Sequence, residues 1–240
     1  MIFSPKSQRY IRKSHRYLGF FLGIQFLFWT VGGIYFSWTK IEKIRGEDIR
    51  VSKESIKPTG LAPISNIVDS LNKLIPNIQF ESLQLTTILH KNYYQIHLTS
   101  PSSKHLLFDA QTLQRKNPVQ ADEAKQIAQL ALKIQAPIER VEYLTTTGGH
   151  HEYREKPLPA YAISFGKPAQ TTVYISTELG TVQSFRNDSW RIFDFLWMLH
   201  TMDYQDRDNI NNWALRIFSI IGLVTLITGF LLFFITSRFK

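Results

Sequence analysis

The sequence predicts an α+β membrane protein in which two transmembrane helices flank a middle domain of two helix-plus-antiparallel-sheet units. Three observations carry that expectation. The stretches Leu18–Trp38 and Ile217–Thr236 are apolar and free of charge, and each has roughly the 20 residues that a helix needs to cross a hydrocarbon core. Between them lies polar sequence of ordinary globular character. Within that middle region one order of elements, a helix followed by an antiparallel meander, occurs twice.

The first span is bordered by Tyr10 and Tyr17 on one side and by Tyr35 and Trp38 on the other, as interfacial aromatic belts require. Its apolar run exceeds the roughly 7–15 residues of a signal-peptide core, and the bulky Tyr35-Phe36-Ser37-Trp38 offers no small-residue cleavage site. An uncleaved anchor is therefore expected. The net charge of +9 is unevenly spread. All 19 acids lie between Glu42 and Asp208, whereas Lys6, Arg9, Arg12, Lys13 and Arg16 precede the first span and Arg238 and Lys240 follow the second with no acid near them. Cations concentrated beside the spans predict cytoplasmic termini and an extracytoplasmic middle domain. They argue against nucleic acid, which calls for a basic patch on the folded domain. The chain has no cysteine, so neither a disulfide nor covalent haem attachment through C-x-x-C-H is available.

In the first window of the middle region, Ile64, Ile67, Val68, Leu71 and Leu74 fall at helical spacing within 63–74, and strand-like runs follow at 78–88, 93–98 and 106–109. In the second, Ala124, Ile127, Ala128, Ala131 and Ile134 line one face of a helix expected over 121–135. Strands are expected at 138–145, 161–165 and 172–176, the last two joined by Gly166-Lys167-Pro168-Ala169-Gln170. Each helix is expected to cover one sheet face. The resulting division is a basic segment (1–17), a first span (18–38), a first unit (39–118), a second unit (119–187), an interfacial helix with an acidic loop (188–213), a second span (214–237) and a tail (238–240).

The second unit, with its helix ADEAKQIAQLALKIQ and its final strands TTVYISTELGTVQSF, resembles the PepSY domain, whose last strand ends in a D-x-x-T-G-like turn. Here the turn reads Ser176-Thr177-Glu178-Leu179-Gly180-Thr181, without the usual Asp. The first unit resembles it more loosely, with Phe108-Asp109-Ala110-Gln111-Thr112-Leu113 at the matching place. The ends, SHRYLGFFLGIQFLFWTVGGIYF and LWMLHTMDY…WALRIFSIIGLVTLITGFLLFF, look like the first two spans of PepSY-associated transmembrane proteins. Larger members of that family have four spans and include haem-containing, siderophore-reducing proteins of the bacterial inner membrane; this chain has two.

Two histidines sit where that resemblance implies function. His15, in H-R-Y-L-G, lies one turn before the first span, and His200, in L-H, precedes the second. The resemblance implies that they are candidate ligands of b-type haem, for which imidazole is a usual axial group. Gly19 and Gly23 form a G-x-x-x-G on the face of His15, a flat strip that admits another helix or the edge of a porphyrin. The ordinary reading of such histidines is an interfacial polar residue bonded to backbone or headgroup. A span of 20 residues holds its ends roughly 30 Å apart, so His15 and His200 cannot grip one iron. Bis-histidine ligation then implies a homodimer or a partner chain.

Other candidates are weaker. Asp203, Asp206 and Asp208, with nearby carboxamides, could hold a hard cation, although the spacing lacks the Gly and the closing Glu of a calcium loop. The adjacent His150 and His151 are not in an H-E-x-x-H pattern. His90, His97 and His105 read as loop or strand-face residues. No nucleophile elbow, phosphate-binding glycine loop or dinucleotide fingerprint occurs. Two functions remain in view. One is a haem-carrying electron-transfer or accessory subunit for ferric iron or siderophore reduction. The other is a membrane-anchored binding module for a periplasmic partner such as a peptidase.

Overall fold

The computed structural model describes residues 4–52, 56, 59–75, 77–100 and 104–237. The chain divides into two compact units: its two ends, up to Ile41 and from Ser189, form one, and Glu42–Asp188 form the other. The tail 238–240 lies outside the described residues.

The first unit is helical. Helix α1 (Pro5–Trp38) is one continuous rod that includes the basic segment, opened by Ser4, whose Oγ accepts the Ser7 N–H, and by a proline in its first turn. Helix α5 (Asp188–Thr201) and helix α6 (Trp213–Ser237) complete it. Both α1 and α6 are long and apolar enough to cross a membrane. The buried residues of α1, Leu22, Gln25 and Gly32, recur at three- and seven-residue spacings and so share one face.

The middle unit begins with the short α2 (Ile41–Ile44), which straddles the division. It continues as two meanders, each preceded by a helix. Helix α3 (Ser65–Leu74) precedes β1 (Gln79–Ile88), β2 (Lys91–Ser100), β3 (Lys104–Asp109) and β4 (Arg115–Lys116), antiparallel and in the order β1-β2-β3-β4. Helix α4 (Ala121–Leu130) precedes β5 (Ile138–Leu144), β6 (Ala160–Phe165), β7 (Thr171–Ser176) and β8 (Val182–Asn187), in the order β5-β6-β7-β8. Helix α4 is shorter than its apolar pattern predicts. The chain leaves the helix at Ala131 because Leu132 is drawn into an antiparallel bridge with Arg50, held by Val51 N–H to Ala131 O and Lys133 N–H to Ile49 O.

The first sheet contributes buried residues from both faces. Ile67 and Leu71 of α3 cover Tyr94, Ile96, Leu98 and Leu106 on one side. On the other, Ile88 and Leu107 join Val119, the α4 residues Ala124, Ile127 and Ala128, and Ile163, Val173, Ile175 and Phe185 of the second sheet in one core. The two meanders thus share their largest cluster, which gives the middle unit the buried apolar area that drives folding. The far face of the second sheet is closed by Tyr153, stacked on Tyr174 at 4.7 Å.

The two sheets end their third strands in the same hydrogen-bonded turn. In the first, Asp109 N–H donates to Gln114 O, Leu113 N–H to Asp109 O, and Asp109 Oδ1 accepts the N–H groups of Gln111 and Thr112. These backbone donors hold the Asp109 carboxyl below its ordinary pKa. In the second, Ser176 N–H donates to Thr181 O, Gly180 N–H to Ser176 O, and Ser176 Oγ accepts Leu179 N–H. The serine hydroxyl performs the acceptor task of the missing aspartate.

Beside the shared core, His97 and His105 face each other across β2 and β3 with rings stacked at 4.1 Å, and His97 Nδ1 lies 2.7 Å from Glu81 Oε2. His105 Nδ1 is buried without a partner. Burial first, and the neighbouring His97 second, lower the His105 pKa, against the opposing pull of Glu178 and Glu81. A histidine held neutral by the fold stabilises it above about pH 6.5, and that contribution is lost as pH falls toward the depressed native value. The unfolding midpoint of the full chain is expected to drop between pH 7 and pH 5, and the drop should be smaller in His105→Gln. An unchanged pH profile in that variant would remove His105 as the cause.

Candidate functional site

The end of α5 places His200, and the sequence pays for that position with polar side chains inside an apolar bundle. The last four carbonyls of a helix have no partner within it. Here the last three are met from outside the ladder: Gln25 Nε2 donates to Leu199 O (2.6 Å), Trp29 Nε1–H to His200 O (3.1 Å) and Asn212 Nδ2 to Thr201 O (2.9 Å). Asn212 also caps α6, its Oδ1 accepting Leu215 N–H at 2.8 Å, so one side chain joins two helix ends. Gln25 is the residue to have noticed, because a carboxamide in the middle of a span needs a partner inside the protein. Trp29 and Asn212 carry no such local signal.

The imidazole of His200 lies among aromatic rings. Trp197 stacks on it at 5.8 Å and 9°, Trp29 tilts over it at 5.4 Å, and Phe36 meets it edge-on at 6.3 Å. Its Nδ1 is buried without a hydrogen-bond partner. A buried, unpaired ring nitrogen costs free energy that an acceptor or a metal would recover.

His15 is held differently. Its Nδ1 lies 3.1 Å from Thr228 Oγ1, and the Thr228 hydroxyl already donates to Thr225 O at 2.9 Å. With that proton on Thr225 O, the threonine oxygen accepts from Nδ1–H, and the neutral ring carries its lone pair on Nε2. The ring lies over Gly229, where a Cβ would stand 3.1 Å from His15 Cε1; a side chain at that position would push the imidazole aside. A hydroxyl on Nδ1 thus sets the orientation of the His15 ring. The fourteen residues of α1 from His15 to Trp29, on which His200 rests, span about 21 Å. The two imidazoles stand at different levels of the bundle and cannot share an iron.

A Cβ at Gly19 or at Gly23 would meet nothing within 4 Å, so the small-residue strip is open rather than filled by α6. Asp203 is 6% exposed, and its oxygens accept the N–H groups of Gln205, Asp206 and Asn209 at 3.3, 3.3 and 2.8 Å. Burial raises its pKa, and the backbone donors outweigh that and hold it below the ordinary value. Asp206 and Asp208 are exposed. Among the described residues no group of three or more His, Cys, Asp or Glu is assembled around a metal position. His151 Nδ1 accepts Tyr153 N–H at 3.0 Å. An ion pair absent from the sequence reading, Asp194 with Arg207, ties α5 to the loop after it, both groups largely buried.

The profile of the PepSY-associated TM region matches residues 1–236. The chain belongs to the PepSY-associated TM family. No curated protein and no solved structure gives a significant match. This PepSY-associated TM protein accordingly has two candidate membrane-spanning helices, which flank in sequence a middle of two antiparallel four-stranded sheets with helices.

Proposed function

We propose that this protein is an inner-membrane haem carrier, an electron-transfer or accessory subunit in ferric iron or siderophore reduction, with cytoplasmic termini and a periplasmic middle unit. The observation that carries the reading is His200: a ring boxed by Trp29, Trp197 and Phe36, with Nδ1 buried and unpaired. The donor chemistry fits a b-type haem, for which imidazole is a usual ligand. His200 would hold it at one level and His15, through Nε2, at the other. When bound, the group supplies one-electron transfer, and the protein supplies position and potential. Gln25, Trp29 and Asn212 fix the backbone that carries His200, Thr228 fixes the tautomer of His15, and Gly229 leaves room for its ring. Since the two imidazoles cannot reach one iron, a haem held by two histidines at either level would need the same residue of a second copy. The concentration of cations at the chain ends supports the orientation.

The test is spectroscopic. Protein purified in mild detergent from haem-replete cells is expected to show a Soret band, with α and β bands that sharpen on dithionite reduction. Those bands should weaken strongly in His200→Ala and in His15→Ala. Colourless wild-type protein overturns the haem reading, and a monomer with six-coordinate haem overturns the dimer.

A second reading, a module that captures a periplasmic partner, draws support from β5. It is an edge strand, with Val141 and Tyr143 exposed (36% and 53%), and an unpaired edge is a template for an added strand. A colourless protein that retains a defined extended peptide, and loses it in Val141→Pro, would favour this reading.

A further inference from the structure

The basic end of α1 is more than a topological signal. It is ordered as helix from Pro5, so its cations have defined directions. At about 100° per residue, Lys6, Arg9, Arg12, Lys13 and Arg16 fall within an arc of about 120°. All five are exposed. The stripe that faces the rest of the bundle, through His15, Leu22, Gln25 and Trp29, lies on the opposite side of the rod. No Asp or Glu occurs before Glu42 or after Asp208, so no side-chain carboxylate of this unit's α1 or α6 neutralises the patch.

The same arc continues along the helix as a ridge of exposed apolar side chains: Phe20, Ile24, Leu27 and Val31, at 76%, 50%, 61% and 48% exposure. Those four positions cover about 16 Å of helix. A surface that is cationic over its first turns and apolar over the next three matches a ligand with an anionic head and an acyl tail. Tyr17, 64% exposed, stands at the junction between the two, and Tyr10, 63% exposed, stands two turns before it.

We propose that this face of α1 selectively binds anionic phospholipid, with headgroups drawn to Lys6, Arg9, Lys13 and Arg16 and acyl chains laid along Phe20, Ile24, Leu27 and Val31. A nucleic acid or an acidic peptide would use the cations and leave the apolar ridge without a purpose. Clusters of Lys and Arg next to a span attract anionic headgroups, each cation contributing favourably within a Debye length of the surface.

The experiment is a titration of delipidated full-length protein in neutral detergent with dioleoylphosphatidylglycerol or dioleoylphosphatidylcholine. Thermal stability and the number of lipids retained in native mass spectrometry are read at low and high salt. Phosphatidylglycerol is expected to bind at least about tenfold more tightly than phosphatidylcholine, with the preference lost at high salt. It should also be lost in Lys6→Gln/Arg9→Gln/Lys13→Gln/Arg16→Gln and kept in Arg9→Lys/Arg16→Lys. Equal affinity for the two lipids overturns the proposal, as does a preference that survives the glutamine substitutions or is insensitive to salt. Inorganic phosphate or a polyglutamate peptide that displaces the lipid at equal concentration would show a general anion patch and equally overturn it. Should the fourfold variant fail to fold, the headgroup and salt comparisons on the wild type decide alone.

Discussion

Replacing Arg207 with leucine is expected to destabilise the helical unit by about 3–5 kcal/mol, because it removes the guanidinium that contacts a buried carboxylate. Asp194 is 4% exposed and Arg207 22%, and the guanidinium contacts Asp194 directly. Arg207 sits in the left-handed region (φ 73°), and leucine would bear the same backbone cost of about 1–2 kcal/mol, so the comparison isolates charge from conformation. The carbonyl of Arg207 also accepts Thr201 Oγ1–H at 3.3 Å, a bond that the substitution leaves in place. The measurement is the thermal midpoint of detergent-solubilised protein. Asp194→Leu/Arg207→Leu should recover most of the loss, since removing both charges together removes the cost of burying the carboxylate. A single variant as stable as wild type would show that the pair is solvated. Because this pair fixes the loop that follows His200, any haem signal should weaken with it.

How far the sequence led depends on whether the signal was local. The two spans, the helices over 65–74 and 121–130, and six of the seven longer strands, all but β8, follow from apolar periodicity. What the pattern could not show were elements defined by partners elsewhere. Strand β4 has only two residues, and they are strand because Leu107 and Phe108 pair with them. The β1–β2 hairpin turns through Leu89 and His90, both at positive φ (49° and 64°). That turn normally selects Asn-Gly; here burial of Leu89 against the shared core helps to offset the conformational cost. At the site, His15 and His200 were visible as residues, whereas what orients them was not. Thr228 is one of several hydroxyls in α6, and Trp29 one of many aromatics in α1. Each acquires its role only when another helix brings an imidazole or an open carbonyl beside it.

Gly180→Ala is the second substitution expected to have a large effect, and its reason lies in how the two meanders are joined. Gly180 has φ 63°, and a Cβ there would stand 2.5 Å from Ile88 Cδ1, 3.3 Å from Leu107 Cδ1 and 3.4 Å from Val119 Cγ2. The turn of the second sheet is thus seated against β1 and β3 of the first. The equivalent position in the first sheet is Leu113, also left-handed (φ 60°), whose side chain packs at the edge of its own sheet's cluster. The repeat is therefore symmetric in hydrogen bonding and asymmetric in packing: one copy of the turn has space for a side chain, and the other has given that space to its neighbour. Alanine at 180 adds roughly 1 kcal/mol of backbone cost and about 1–3 kcal/mol of overpacking, so a loss of about 2–4 kcal/mol is expected in the denaturant unfolding of the full chain. Ile88→Val in the Gly180→Ala background removes the closest methyl and should restore the packing part alone, leaving the backbone part. Full restoration would mean that conformation contributes nothing at this turn. No loss in the single variant would mean that the two meanders are not locked together through it.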